Sequence, residues 1–224
     1  MGKVLRGDLG TGLHSGLPVS DEIGRKFPAT AELGLAAMLI ATVVGIVLGV
    51  IAAIRRASVL DYGTTTAALI GVSMPIFWLG LMLIYLFAVN LRWLPPSTRG
   101  EPPERVITGL YSIDFLLSGD LAGWVEALRH LLLPAAVLAT VPLAVVARQT
   151  RSAMLEVLSQ DFVRTAWSTG LRERAVVTRH VLKNALLAVV TIVGLPVGAP
   201  LSVAVLLEPV FSLPGLRHYL VAAI

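Results

Sequence analysis

Apolar and polar positions follow one another along this chain in long blocks. Leu33 to Ile54 is a run of 22 residues without a charge. At about 1.5 Å per residue a helix of that length reaches roughly 33 Å, enough to cross a hydrocarbon core. The preceding "FPATAEL" reads as its start, with Pro28 near the first turn and Glu32 near the positive end of the dipole. Arg55 and Arg56 stop it. Ala67 to Val89 is a second uncharged run, with Pro75 inside it. The third occupies about 128–146, its uncharged part starting at Leu131 between Arg129 and Arg148, and it holds Pro134 and Pro142. Ala185 to Leu207 is the fourth, interrupted by "GLPVGAP", and a further apolar stretch begins at about 217 and stops at Ile224. The pattern predicts an all-α fold: a polytopic membrane helical bundle forming one transmembrane domain over 1–224. Its spans are expected at about 33–54, 67–89, 128–146 and 185–207, with a polar connection at about 147–183.

Composition supports the membrane reading. The chain is 56% hydrophobic and only 14% charged, against about 25% charged in soluble domains, so too few polar residues remain to cover a water-facing surface. The absence of cysteine excludes disulfides, thiolate metal sites and thiol catalysis. The first 28 residues contain no apolar signal region, and their glycines and prolines argue against a long helix there.

Charge placement sets an orientation. The loop after the first run carries Arg55, Arg56 and Asp61, and the connection between the third and fourth carries Arg148, Arg151, Arg164, Arg172, Arg174, Arg179 and Lys183. The 90–129 loop sets Arg92, Arg99, Arg105 and Arg129 against Glu101, Glu104, Asp114, Asp120 and Glu126. Positive residues near span ends stay in the cytoplasm. The loops around Arg55 and Arg164 are therefore expected inside, with the amino-terminal segment, the 90–129 loop and Glu208 outside.

The basic connection is more than a charged run. In "DFVRTAWSTGLRERAVVTRHVLKNAL" (Asp161 to Leu186), Ser159 is a candidate N-cap and Asp161 falls in a first helical turn. Gly170 stands where a helix ends in a left-handed residue. Leu155, Leu158, Phe162 and Ala166 are spaced to line one face, and a second helix starts near Arg172. A solvated positive loop and a basic membrane-surface helix are the plain alternatives. Phe162 and Trp167 beside compact Ala166 and Gly170 instead suggest a shaped surface that fits a groove on another protein.

Other chemistries find little support. The lysines, Lys3, Lys26 and Lys183, are followed by Val, Phe and Asn, so no phosphate-binding G-x-x-x-x-G-K-[ST] exists. His14, His130, His180 and His218 are scattered without metal-ligand spacing. Ser73 in "GVSMP" would need a histidine base for an intramembrane hydrolase, and packing by small residues beside a proline kink explains it better. No catalytic residue and no metal site is expected. Pro196, Gly198 and Pro200 are candidate pathway residues, because broken helices line transport sites; a kink serving packing alone is the alternative. Glu208 reads as an interfacial carboxylate at the span end and a candidate gate residue.

The basic stretch resembles the EAA loop of binding-protein-dependent ABC transporter permeases, with Ala166, Gly170 and Leu182 on its generic consensus. "DFVRTAWSTGL" followed by "RHVLKNAL" is similar to the form found in the dipeptide, oligopeptide and nickel "B" subunits. "GDLGTGL", "FPATAEL", "MPIFWLGLMLIYLFAV", "LRHLLLPAAVLA" and "LLEPVFSLPGL" match further motifs of that family in order. Arg217 and Thr169 depart from it, replacing a glycine and a lysine.

The resemblance implies a non-catalytic subunit of a bacterial or archaeal inner-membrane importer. Its partners would be two ATP-binding cassette ATPases, a second permease, an extracytoplasmic substrate-binding protein and membrane lipid, with no nucleic acid. ATP and Mg would be bound by the ATPases and no cofactor by this chain. Asp161, Arg164, Thr165, Ala166, Gly170, Leu171 and His180 would belong to the helix and turn that dock on an ATPase. Against the family's about six spans, the chain is expected to be incomplete at both ends. The rival reading is a self-contained channel or secondary transporter, which would carry intramembrane ionisable residues for ion coupling; no predicted span has one in its interior. A membrane enzyme is a weaker third reading.

Overall fold

The computed structural model describes residues 18–96, 98–194 and 198–215. Among these the regular structure is helical. Helix α1 spans Val19–Ile54, α2 Val59–Ser73, and α3 Ile76–Leu83, which continues as a π-helical segment over Ile84–Asn90. Helix α4 is Tyr111–Ser118, α5 Leu121–Leu158, α6 Asp161–Ser168 and α7 Glu173–Ala175. A π-helical stretch over Val176–Val181 leads into α8, Leu182–Gly194, and α9 is Gly198–Leu207. By length and composition α1 and α5 can each cross a membrane, and α2 with α3 makes a third crossing if that broken pair counts as one.

Element boundaries depart from the predicted ones for identifiable reasons. Helix α1 begins at Val19, not near Pro28, and carries Pro28 inside it, with Asp21 and Glu22 favourably placed in its first turn. A proline inside a helix removes one backbone bond, and the ordered turns on both sides outweigh that loss here. Glu32 consequently lies mid-helix, not at a helix start. The second apolar run is broken: Met74 is extended (φ −82, ψ 138) before Pro75, as steric clash with the proline ring requires. Pro134 and Pro142 are absorbed by α5, whose 38 residues extend well past the predicted 128–146 at both ends. The fourth run divides into α8 and α9. Of "GLPVGAP", Pro196 lies outside the described residues, while the backbones of Gly198 and Pro200 belong to the first turn of α9.

The chain forms two compact units. One comprises 1–37, 76–138 and 201–224, and the other 38–75 and 139–200. In the second unit α1 and α5 touch almost backbone to backbone. A Cβ at Gly45 would lie 2.9 Å from Val146 Cβ, and one at Gly49 would lie 2.6 Å from the Ala147 carbonyl and from Thr150 Cβ. Gly45 and Gly49 thus form a small-residue seam, and Ala41, Ala52 and Ala53 are buried on the same helix. Where the surroundings are as apolar as the contact itself, such close approach supplies the van der Waals gain that holds helices together. In the first unit Gly80 of α3 admits the ring of Phe211, 3.3 Å from the Cβ a larger residue would add.

The seam makes a test. Gly49→Leu should cost about 1–3 kcal/mol, the usual penalty of overpacking, and lower the thermal unfolding midpoint of the purified membrane protein. Gly63→Ala, at a helical glycine with nothing within 4 Å of the added carbon, should leave the midpoint unchanged or raise it. Equal midpoints for Gly49→Leu and the parent would remove the seam from the account.

Candidate functional site

Helix α6 has only eight residues, too short to be stable alone in water. It is held by burial of one side. Val163 is fully buried with Met154 and Val157 of α5, Ala53 of α1, Val176, Val177 and Val181 of the π-helical stretch, and Ala185 of α8. Ala166 packs on the same cluster with Leu155 and Leu158. Phe162, expected on that face, is exposed instead. The reason is a break in register: α5 ends at Leu158 and α6 starts afresh at Asp161, so i, i+4 spacing does not carry across. Ser159 is not the N-cap either. Its hydroxyl donates to the Glu156 carbonyl and closes α5, while Gln160 occupies the cap without a side-chain bond.

The other side of α6 is uncovered. Asp161, Arg164, Thr165, Trp167 and Leu171 are exposed together with Phe162. Asp161 and Arg164 approach to 3.5 Å, a weak surface pair. The Gly170 N–H donates to the Trp167 carbonyl at 3.0 Å, and Gly170 turns the chain with φ +79, a left-handed conformation in which any side chain is strained. Arg172 then caps the short α7. His180, half-buried in the π-helical stretch, accepts through its carbonyl from Asn184 Nδ2 at 2.7 Å. The result is a small apolar and basic platform fixed to four other segments through one close-packed cluster.

A second feature of this unit was missed by motif reading. Ser58 caps α2, its Oγ accepting from the Asp61 N–H, and Asp61 Oδ2 reaches back to the Ala57 N–H at 3.0 Å. The Ser-x-x-Asp spacing of a capping box was available in the sequence. Its tertiary partner was not: Arg151 of α5 grips Asp61 with Nε to Oδ1 at 2.6 Å and Nη2 to Oδ2 at 2.8 Å. This forked pairing holds the Asp61 carboxyl below the ordinary carboxylate value, against the upward push of burial and with help from the Ala57 N–H. It raises Arg151 in turn. Arg151 borders a cavity of about 250 Å³ whose lining also includes Thr64, Thr65 and Arg148.

In the other unit, Glu32 is the hub. It accepts from Arg99 Nε at 3.1 Å and also from Arg99 Nη2, and it accepts the Tyr111 and Ser112 N–H groups at 3.3 and 2.7 Å. It therefore caps α4 from a distant part of the chain. Arg99 also donates to the Gly109 carbonyl and lies 3.8 Å from the centre of the Tyr111 ring. Asp114 receives the Thr108 hydroxyl and the N–H groups of Thr108 and Gly109. Burial alone would raise that carboxyl; these donors outweigh it and hold the group below its ordinary value. Glu208 is also buried, at 2% exposure. It accepts from Thr30 Oγ1 and lies so close to Gly215 that a side chain there would overlap its carboxylate. Ser73 donates to the Leu69 carbonyl of its own helix at 2.8 Å. Among the described residues no three acidic or histidine side chains form a metal cluster.

Long apolar helices, buried charges satisfied within the protein and an uncovered basic platform define an all-helical integral membrane protein. The chain belongs to the family of binding-protein-dependent transport system inner membrane components, whose model matches residues 45–224. It is 50% identical to the di/tripeptide transport system permease protein DppB of Pseudomonas aeruginosa (strain UCBPP-PA14), over 100% of this chain and 67% of that protein. To the dipeptide transport system permease protein DppB of Escherichia coli (strain K12) it is 46% identical, over 99% of this chain and 67% of the relative. To that of Bacillus subtilis (strain 168) it is 39% identical, over 92% and 58%. The chain thus spans about two thirds of the length of the first two relatives.

The Asp61–Arg151 pair predicts an acid-sensitive contribution to stability. A depressed carboxyl stabilises the fold fully above its unfolded pKa, about 3.9, and loses that contribution as pH falls through the lower folded value. The midpoint difference between the parent and Asp61→Asn should be constant near neutrality and shrink below about pH 4. A difference independent of pH would contradict it. In the other unit, Arg99→Ala strands the buried Glu32 and should cost about 3–5 kcal/mol, read in the same unfolding assay.

Proposed function

We propose that this chain is a permease subunit of an ATP-driven importer of dipeptides or related short peptides in a bacterial inner membrane. It contributes part of the translocation path and performs no bond chemistry itself. Its partners are a second permease, a pair of ATP-binding cassette ATPases that bind ATP and Mg, and an extracytoplasmic peptide-binding protein. The charge asymmetry supports a cytoplasmic platform at α6 and a 90–129 loop on the outer side.

The observation that carries the coupling role is the joining of α6 to α1, α5 and α8 through the cluster around Val163. Close-packed interiors deform little, so a push on Phe162, Arg164 and Trp167 passes to the spans as a rigid displacement. Asp161, Thr165, Gly170, Leu171 and His180 are assigned to the same docking surface or its support. Pro196, Gly198, Pro200 and Glu208 are assigned to the path or its outer gate. Among them Glu208 has a supporting observation: its carboxylate packs against Gly215 and binds Thr30, which fixes the turn after α9. The ion-coupled alternative gains nothing from Glu32 and Asp61, since each is paired with an arginine.

The test is assembly and transport in reconstituted vesicles. Gly170→Val forces a side chain onto a left-handed residue, and should weaken ATPase capture and peptide uptake together. Trp167→Ala removes a large exposed anchor and should weaken ATPase binding by on the order of tenfold or more, in line with anchor truncations worth upward of about 2 kcal/mol. Parental assembly and uptake in both variants would sink the coupling assignment.

A further inference from the structure

The 90–129 loop contains a surface that an aqueous loop does not need. On α4, Ile113, Leu116 and Leu117 are exposed at i, i+3, i+4 spacing, while Asp114 and Phe115 are buried. The first turns of α5 repeat the pattern. Leu121, Val125, Leu128 and Leu132 are exposed, and at about 100° per residue they fall within a sector of roughly 60°. Asp120, Gly123, Glu126, Ala127 and His130 lie on the opposite side and line a cavity of about 840 Å³ with Glu101 and Glu104. One side of this helix end thus suits water, and the other suits an apolar medium.

We propose that α4 and the first turns of α5 lie in the headgroup region of the bilayer, their exposed aliphatic faces resting on lipid. Three observations select lipid over a protein partner or water. The large apolar side chains exposed on the two helix faces are all aliphatic, whereas protein-binding anchors are enriched in Trp and Tyr and depleted in Leu and Val. The α5 stripe runs without interruption into the apolar body of a helix long enough to cross a membrane. The backbone of the segment is satisfied by the protein itself: Glu32 takes the first N–H groups of α4, Asp114 those of Thr108 and Gly109, and Asp120 that of Gly123. Backbone groups satisfied in this way lose little on leaving bulk water. Trp93, exposed and held through its carbonyl by Arg129 Nη2 at 3.1 Å, adds the aromatic and basic pairing common at membrane interfaces.

The inference rests on the membrane reading of the chain, and the experiment separates the two. The chain has no cysteine, so single-cysteine variants are available in a complete importer whose other subunits are cysteine-free. Ile113→Cys, Leu117→Cys, Val125→Cys, Glu101→Cys and Val141→Cys are spin-labelled in phosphatidylethanolamine–phosphatidylglycerol vesicles. Collision rates are then measured with oxygen, which enters lipid, and with a water-soluble nickel chelate, which does not. Labels at 113, 117 and 125 should show an oxygen-to-nickel ratio severalfold above that at 101 and below that at 141, inside the span. A ratio at all three equal to that at 101 overturns the proposal in favour of water. Immobilised labels shielded from both reagents overturn it in favour of a protein partner. An aqueous label at 141 removes the membrane reading itself.

Discussion

An N–H group at the start of a helix has no partner within that helix, and in apolar surroundings it has no water either. Here carboxylates answer that constraint at three helix starts. Asp61 takes the Ala57 N–H just ahead of α2, where Ser58 Oγ takes the Asp61 N–H, Asp120 closes α5 through the Gly123 N–H, and Glu32 closes α4 from the middle of α1. A buried carboxylate is costly until it is paired. Arg151 and Arg99 provide that pairing for Asp61 and Glu32, and each arginine thereby draws a second segment into place. The same few charges satisfy the backbone, fix the loops and tie α5 to α2.

The platform at α6 depends on a different kind of contact. Val163 and Ala166 hold α6 by packing alone, and the cluster they join contains residues of α1, α5 and α8 but no charge. Packing of this density transmits a displacement without needing a wire of specific bonds. The π-helical stretch over Val176–Val181 belongs to that cluster through three buried valines. It forms the step from the platform into α8, so the turn at Gly170 and the start of the span are parts of one packed body.

The prolines show how local rules yield to context. Pro75 divides an apolar run into α2 and α3, whereas Pro28, Pro134 and Pro142 lie inside helices that continue through them. The local cost is similar in each case: one lost backbone bond and a crowded preceding turn. Helices α1 and α5 continue because long flanking stretches are packed, with the glycine seam pressing one against the other.

Much of this protein is legible in order along the chain. The uncharged runs announce membrane helices, and Gly170 with the residues around it announces a helix, a turn and a second helix. Periodicity, charge and backbone freedom are local properties, so one sequence carries them. The capping box at Ser58 and Asp61 and the small-residue spacing of Gly45 and Gly49 were equally local and equally readable. What the tertiary structure alone decided is which distant groups meet. It brings Arg151 to Asp61, Arg99 to Glu32, Thr30 to Glu208 and Val163 to Val176, and turns Phe162 outward after the break at Leu158. Those outcomes follow from the three-dimensional crossing of helices, where burial makes these polar groups take the partners that come within reach.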